Sequence, residues 1–172
     1  MKLNIKLKLR PLYRPIVRWL LFFRYDTYYV MGGSEKRLSL GRKVGCSNTL
    51  FNVGSGDISV GNYTIFGQNV VVNTGIHIFH QGERAGLRSV ISGKSWGGGA
   101  EEVPDTGYDV HIGSGCFICS GAIIVGPVRI GDNSIVGAGA VVTKDVSRGS
   151  FVAGVPAKLI CRTDDLFKDG AE

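Results

Sequence analysis

Three histidines are the side chains in this chain best suited to proton transfer near neutral pH: His77, His80 and His111. A neutral imidazole can take the proton of an attacking hydroxyl group, and it can also ligate zinc. One type of catalytic zinc site uses three histidine ligands, so the count by itself allows either use. The three positions give no H-x4-H pair, however, and the sequence therefore favours a general base over a metal site.

Cys116 and Cys119 form a C-x-x-C motif, which is a weak indication of zinc binding or thiol exchange. No second motif of this kind and no nearby histidine pair completes a tetrahedral site. The sequence shows no secretory signal, which predicts the reducing cytoplasm, where all four cysteines stay free. We expect structural roles for the cysteines and no bound metal.

Positive charge is concentrated at the N-terminus. Residues 1–24 hold seven of the 20 Lys and Arg residues and no acid, which leaves 13 cations against 14 acids, a net charge of −1, in the rest of the chain. Such a distribution argues against a nucleic-acid-binding surface. The arm also carries Trp19–Phe23, and no apolar run reaches the ~18 residues of a membrane-spanning helix. The arm, residues 1–37, is therefore expected to be a short helix that contacts the inner face of a membrane through residues 1–24 or covers the open end of the following domain.

A six-residue period dominates the rest of the sequence. The aliphatic positions are Ile112, Ile118, Ile124, Ile130, Val136 and Val142, and the small or β-branched positions four residues after them are Cys116, Ala122, Val128, Ser134, Ala140 and Val146. Upstream the same period runs through Leu40, Cys46, Val60, Phe66, Val72 and Ile78, with a slip near Asn52, and Thr64, Val70 and Ile76 at the fourth offset.

Neither an α-helix nor an ordinary strand produces a period of six. This period fits a coil with three flat faces, in which each face is a short strand and each corner is a tight turn. The 26 glycines among 172 residues agree with such corners. The sequence therefore predicts an all-β parallel helix over residues 38–160, with a tail over residues 161–172.

Two distal segments carry a more specific resemblance. The sequence from Ile130 to Val146, with Thr143-Lys144-Asp145, and the segment Ala153-Gly-Val-Pro-Ala-Lys-Leu-Ile160 resemble the closing coil and exit of hexapeptide-repeat acyltransferases, the left-handed parallel β-helix family. Within that family they are most similar to sugar and polysaccharide O-acetyltransferases. The resemblance implies left-handed coiling, a homotrimer, acetyl-CoA as acyl donor, and direct transfer without an acyl-enzyme.

The period vanishes between Ile78 and Val110, and residues 81–107 form a long glycine-containing loop. Loops of this length in compact domains are usually functional or disordered. The resemblance implies that the loop reaches over a neighbouring subunit and helps enclose the acceptor site. Within the loop, Trp96 is a candidate wall, and Arg84 or Arg88 is a candidate anion contact.

The resemblance also points to a histidine at the exit of the loop as the general base. Two choices stay open, His80, which we favour, and His77. The stretch from Gly75 to Phe79 resembles a sugar acetyltransferase motif whose catalytic histidine corresponds to Glu83 here, so Glu83 becomes a candidate for orienting the base. His111 is expected to be structural or to lie at the rim.

The donor contacts implied by the family fall on small and basic residues. Ser120 and Ala138, one 18-residue turn apart, and the adjacent Gly137 match positions that line the pantetheine arm, although the tight turns by themselves also require small residues. The remaining matches are Phe117 at the thiol end, Thr143 and Lys144 at the donor end, and Lys158 and Arg162 as further phosphate partners.

These features predict a cytoplasmic, acetyl-CoA-dependent O-acetyltransferase that acts on a sugar hydroxyl in surface polysaccharide or lipid-linked glycan assembly. The alternatives are a serine acetyltransferase, a xenobiotic acetyltransferase, a γ-carbonic-anhydrase-like zinc hydratase, and a catalytically inactive scaffold on the same prism.

Overall fold

The structure is a computed structural model that describes residues 28–80, 82–85 and 103–166. The predicted helical arm up to residue 27 and the proposed wall residue Trp96 lie outside these ranges, and His80 is described by its backbone only. The described residues form 17 short strands and two single-turn 3-10 helices, Glu35–Arg37 and Thr163–Asp165.

The strands form three sheets, which we call faces A, B and C, and one small ribbon; the three sheets are parallel except for the last strand of face C. Face A contains β1 (Tyr28–Met31), β4 (Thr49–Asn52), β7 (Val71–Asn73), β12 (Ile123–Val125) and β15 (Val141–Val142). Face B contains β2 (Leu38–Leu40), β5 (Ile58–Val60), β10 (Val110–Ile112) and β13 (Val128–Ile130). Face C contains β3 (Gly45–Ser47), β6 (Ile65–Gln68), β11 (Phe117–Ile118), β14 (Ile135–Val136), β16 (Ser150–Ala153) and β17 (Lys158–Arg162). The ribbon pairs β8 (Phe79–His80) with β9 (Glu83–Arg84).

The chain visits faces B, C and A in turn and so builds a triangular column. Each coil lies on the previous one through parallel pairs, whose partners are 18 residues apart at Ile112 and Ile130 and 16 residues apart in the last coil, at Ile135 and Phe151. Backbone hydrogen bonds join the coils, for example from Gly61 N to Ile112 O at 2.8 Å. The main chain is thereby satisfied between coils rather than within one element.

The column interior holds the side chains that the six-residue period selects. All twelve distal aliphatic and small positions listed above, from Ile112 to Val146, are buried. The proximal coils are longer, because Leu40 pairs with Val60 and Phe51 pairs with Val72, separations of 20 and 21 residues. Phe51 fills the wider interior and packs edge-to-face on Phe66 with ring centroids 5.6 Å apart, which accounts for the slip near Asn52.

The parallel stacking begins at Tyr28, ten residues before the boundary expected from the period. Strand β1 pairs in parallel with β4 over its whole length, but its residues are Tyr-Tyr-Val-Met and carry no six-residue signal. Strand β1 is an edge strand on face A, so only one of its sides is paired and its aromatic residues stay partly exposed.

The period was expected to continue through Ile76, and this expectation is wrong. Thr74 donates its backbone N–H and its hydroxyl to Asn52 O at 3.0 and 2.8 Å. The backbone of Ile76 still reaches the previous coil through a longer bond from its N–H to Ser55 Oγ at 3.4 Å. Asn73 then closes a turn onto Gly75 O at 3.0 Å, and Ile76 is 40% exposed. A side-chain turn of this kind competes with the sheet, so the chain leaves the column at Gly75.

The column ends differently from the expected run of parallel coils to residue 160. Strand β17 turns back and pairs antiparallel with β16, after a turn in which Gly154 has φ of +96°. This final strand straddles the boundary placed at residues 160 and 161.

The corners are held by side-chain oxygens that accept backbone N–H groups from the preceding coil. Asn62 Oδ1 accepts from Arg42 N at 2.8 Å, Ser114 Oγ accepts from Asn62 N at 3.1 Å, and Asp132 Oδ1 accepts from Ser114 N at 2.7 Å. Short polar side chains at corners therefore serve the coil-to-coil connection.

Substitution of Gly61 tests how closely the backbones of adjacent coils approach at these corners. A Cβ on Gly61 would lie 2.5 Å from Ser114 N, which is backbone and cannot move aside, whereas a Cβ on Gly45 would meet only Ile65 Cγ2 at 3.9 Å. We expect Gly61→Ala to lower the free energy of unfolding by about 1–3 kcal/mol and Gly45→Ala to change it by less than about 1 kcal/mol. Urea denaturation at one fixed protein concentration measures both, and equal effects would contradict the tight corner.

Candidate functional site

The three faces of the column differ in their outward side chains. Face A carries an apolar row and face C carries a second one, whereas face B carries a polar row. The outward rows, in register, are Tyr29, Leu50, Val71, Ile123 and Val141 on face A; Ser39, Ser59, His111 and Arg129 on face B; and Gly45, Ile65, Phe117, Ile135 and Phe151 on face C.

The long loop leaves and rejoins the column at the corner between faces A and B, which we call corner AB. Ile58 pairs with Val110, 52 residues later, where an ordinary distal turn takes 18. Corner AB also includes Gly126 and Pro127 one coil later and residues 143–145 one coil after that.

The structure brings His80 and Glu83 together at the loop exit. They are direct cross-strand partners in the ribbon of β8 and β9, and Arg84 lies opposite Phe79. Gly82, with φ of +83°, makes the turn between the two strands. His77 precedes the ribbon and is exposed. The position that matches the family's catalytic histidine, Glu83, is thus next to the histidine that we favour.

Arg37 fixes the returning end of the loop, and sequence reasoning missed it. Its Nε forms an ion pair with Asp57 Oδ1 at 2.8 Å, and its Nη2 donates to Asp105 O at 2.5 Å. Asp57 N in turn donates to Asp109 Oδ1 at 2.8 Å. These contacts join residues 20 to 68 positions apart, so no local pattern could have indicated them.

The small residues predicted to contact the donor meet at the corner between faces C and A, which we call corner CA. Gly139 N donates to Ser120 O at 3.0 Å, so Ser120 and Ala138 lie in adjacent coils. Ser120 Oγ accepts from Gln68 N at 3.0 Å, which gives this hydroxyl a structural role in the corner. Phe117 is 45% exposed on the adjoining face C, while Gly137 is buried against Ala153.

Thr143 and Lys144 do not join that cluster. They follow β15, whereas Ala138 precedes it, so face A separates the two groups. Both residues are exposed at corner AB, the corner from which the loop with His80 leaves two coils earlier. A single subunit therefore presents the predicted donor contacts on two different corners.

Lys158 and Arg162 lie on β17, at the end of face C. Lys158 is exposed, and its backbone pairs with Ala153. Arg162 Nη1 donates to Ser150 Oγ at 3.0 Å. Part of the Arg162 guanidinium is therefore used to hold the final strand, and its role toward a phosphate stays a prediction.

The cysteines occupy structural positions. Cys116 is buried inside the column, where burial raises the pKa of its thiol, and its Sγ donates to Gly131 O at 3.3 Å. Cys119 is half-buried, and desolvation raises the pKa of its thiol as well. Within residues 28–80, 82–85 and 103–166, no group of three or more Cys, His, Asp or Glu side chains is arranged to hold a metal ion. No helix among these residues is long and apolar enough to span a bilayer.

Comparison with known proteins bears on the fold and on the site. Residues 109–144 match the family described as bacterial transferase hexapeptide (six repeats). The galactoside O-acetyltransferase of Lactococcus lactis is 29% identical over 144 residues, which cover 84% of this chain and 61% of that protein.

Two solved structures share the architecture. A galactoside acetyltransferase in complex with coenzyme A superposes with a TM-score of 0.60 at 29% identity, covering 82% of this chain and 62% of that one. A hexapeptide-repeat-containing acetyltransferase from Vibrio cholerae in complex with acetyl-CoA superposes with a TM-score of 0.60 at 19% identity, covering 86% and 77%.

These matches confirm the predicted left-handed parallel β-helix and the resemblance to hexapeptide-repeat acyltransferases. The chain spans about three fifths of the length of the two galactoside acetyltransferases.

Proposed function

We propose that this hexapeptide-repeat protein is an acetyl-CoA-dependent O-acetyltransferase that acts on a sugar hydroxyl. The observation that carries the proposal is the pairing of His80 with Glu83 where the loop leaves the column, on a fold shared with a galactoside acetyltransferase that binds coenzyme A. A base at this position would stand at the edge of the column, accessible to two substrates arriving from different sides.

The reaction that fits these residues is direct acyl transfer. The acceptor hydroxyl attacks the thioester carbonyl while the imidazole takes its proton, so a C–O bond forms and the C–S bond then breaks. The same proton passes from the imidazolium to the leaving thiolate, and the products are an acetyl ester and free coenzyme A. Glu83 would hold the imidazole in orientation and stabilise its charged form.

The loop residues would supply the acceptor site. Arg84, half-buried at the end of the ribbon, would contact an acceptor oxygen, and Trp96 would form an apolar wall for the sugar ring. The donor would lie along corner CA past Ser120, Gly137 and Ala138, with its thiol end near Phe117.

A neighbouring copy would complete this site. Thr143, Lys144 and the loop with His80 lie at corner AB, while Ser120 and Ala138 lie at corner CA, across face A. A second copy can bring its corner CA to corner AB of the first, and the apolar rows on faces A and C favour such contact. A head-to-tail contact between two different faces forms a ring when its rotation closes, and we infer three copies because that is the assembly the family resemblance implies. Lys158 and Arg162 would then meet the phosphates of the donor.

The N-terminal arm would place the enzyme at the cytoplasmic face of a membrane. Its seven cations and its Trp19–Phe23 segment fit anionic headgroups and the acyl boundary. Acceptors in surface polysaccharide or lipid-linked glycan assembly lie on such a surface, so the arm would bring the enzyme to them.

Replacement of His80 tests the general base. We expect His80→Ala to lower kcat/KM for thiol release from acetyl-CoA by about 100- to 10,000-fold, because the attacking hydroxyl loses its proton acceptor. His77→Ala should lower it by less than about tenfold. The assay uses a panel of glycan acceptors with serine and chloramphenicol as alternative acceptors.

Acetyl-CoA binding by each histidine variant serves as the control for folding and donor contact. If both variants retain the wild-type rate, neither histidine is the base. If serine or chloramphenicol is acetylated and no glycan is, the protein is a serine or a xenobiotic acetyltransferase and the proposed sugar acceptor is wrong.

Co-expression of two inactive variants tests whether copies share the site. Ala138→Trp would obstruct the donor groove at corner CA, and His80→Ala would remove the base at corner AB. Mixed assemblies should regain activity, since about one interface in four (one half times one half) then joins an intact groove to an intact base. Mixtures that stay inactive, although affinity capture through a tag on one variant recovers the other, would place the whole site within one chain.

Removal of residues 1–24 tests the membrane contact. In sedimentation with vesicles that contain anionic lipid, the full chain should pellet and the truncated chain should stay in the supernatant, because headgroup attraction and interfacial burial are lost together. The effect should weaken as salt is raised. Equal partitioning of the two proteins would rule out a membrane role for the arm.

A further inference from the structure

Face B carries a trough, lined by charged side chains together with glycines and apolar residues, that the proposed transfer chemistry does not use. Two adjoining hollows, of about 320 and 470 Å³, share His111, Arg129 and Asp145 in their linings. One hollow begins at Gly107 and Pro127 beside the base of the loop. The other continues to Gly131 and Ser147, toward the corner between faces B and C.

The lining offers hydrogen-bond donors. His111 Nδ1 lies 2.7 Å from Ser59 Oγ, and this contact leaves Nε2 of the same ring for a ligand. Arg129 is in register with His111 on the next coil and is exposed. Within the described part of the chain its guanidinium makes no ion pair or hydrogen bond.

The lining also offers acceptors. Asp145 Oδ1 accepts from Arg129 N at 2.7 Å, and Asp109 Oδ1 accepts from Asp57 N at 2.8 Å. Each contact fixes the carboxylate in place and leaves its second oxygen for another donor. Both carboxylates are thus held by the backbone rather than by a cation.

The mixture of charges identifies the class of ligand. Two carboxylates, one guanidinium and one imidazole line the two hollows, so a strongly anionic polymer would meet both carboxylates and a strongly cationic polymer would meet the guanidinium. A ligand whose hydroxyls both donate and accept can pair with all four groups. The chemistry therefore fits an uncharged, polyhydroxylated chain.

The shape of the trough indicates an extended ligand. From Asp109 to Gly113 the strand and its ends span four residue steps, or ~13 Å, which is longer than one sugar ring. Faces A and C carry apolar outward rows, so face B is the face best suited to remain in solvent when copies associate.

We propose that the trough on face B binds an uncharged oligosaccharide of several units, which rests on the proposed function because it is the part of the acceptor beyond the sugar that is acetylated. Sugar units at Gly107 would continue from the loop base, and later units would pair with Asp109, His111, Arg129 and Asp145. The substrate class is then an oligomeric or polymeric glycan rather than a free monosaccharide.

Binding without acetyl-CoA tests this proposal. The full-length protein is applied to an array of uncharged mono- to hexasaccharides and of acidic polysaccharides, and the strongest uncharged binder is measured by calorimetry. We expect binding to rise with length up to at least four units. Arg129→Met should weaken it at least tenfold, because the guanidinium contacts are lost.

Arg42→Met is the matched control. Arg42 is an exposed arginine that does not line the trough, and its guanidinium lies over the Tyr63 ring, 6.0 Å from the centroid. This variant should bind the same glycan as tightly as the wild type. Asp145→Asn keeps a side-chain acceptor for Arg129 N and should still weaken binding, which separates ligand contact from folding.

Several outcomes would overturn the proposal: no uncharged glycan longer than one unit binds, acidic polymers alone bind, Arg129→Met has no effect, or cross-linking shows face B covered by a second copy. Thiol release reports the proposed transferase separately. Glycan binding without thiol release would contradict the proposed transferase activity and support the glycan-binding trough. Thiol release without glycan binding would support the transferase activity and contradict the trough.

Discussion

The hydrogen bonds between successive coils are the interaction on which the rest of this structure depends. The strands are two to five residues long, and none would be stable without hydrogen bonds to a neighbouring coil. Each coil must therefore repeat the backbone path of its neighbour, and the side chains that point inward must stack at fixed positions. The six-residue period follows from this requirement, because two positions in every six, such as Ile112 and Cys116, face the interior.

The same requirement leaves the outward positions free. An inward position such as Ile118 must be apolar, since it has no access to water, whereas Phe117 beside it is 45% exposed and can vary. The outward rows consequently acquire separate characters along whole faces, two apolar and one polar. Functions that need a long flat surface, such as association between copies or contact with a polymer, can be assigned to separate faces without disturbing the interior.

Flat faces alone do not form a catalytic site, and the proposed catalytic residues lie on the loop at corner AB. The column can insert a long segment at a corner without losing register, because Val110 resumes its pairing with Ile58 as if no residues had intervened. The inserted chain is then held by contacts to distant coils, chief among them Arg37 with Asp57 and Asp105. A rigid column thus positions both ends of the loop that carries His80.

Local patterns in the sequence predicted the buried ladder from Ile112 to Val142, the triangular path and the interruption of the column by a long loop. Each follows from the alternation of burial and the needs of tight turns, which act over a few residues. The candidate residues at Ser120, Ala138 and His80 were found by resemblance, and their roles stay predictions.

Only the tertiary structure decided the features that depend on distant pairing. Strand β1 lacks the six-residue period and belongs to the column because it pairs with the edge of β4. The Ile76 side chain is not inside the column because the Asn73 side chain closes a turn onto Gly75. Tertiary structure also placed Thr143 and Ala138 on opposite sides of face A, and gathered Asp109, His111 and Arg129 in one trough. The sequence specifies which side of the chain faces inward, because the hydrophobic effect acts on each side chain separately. Which outward residues come together depends on how coils separated by tens of residues are stacked.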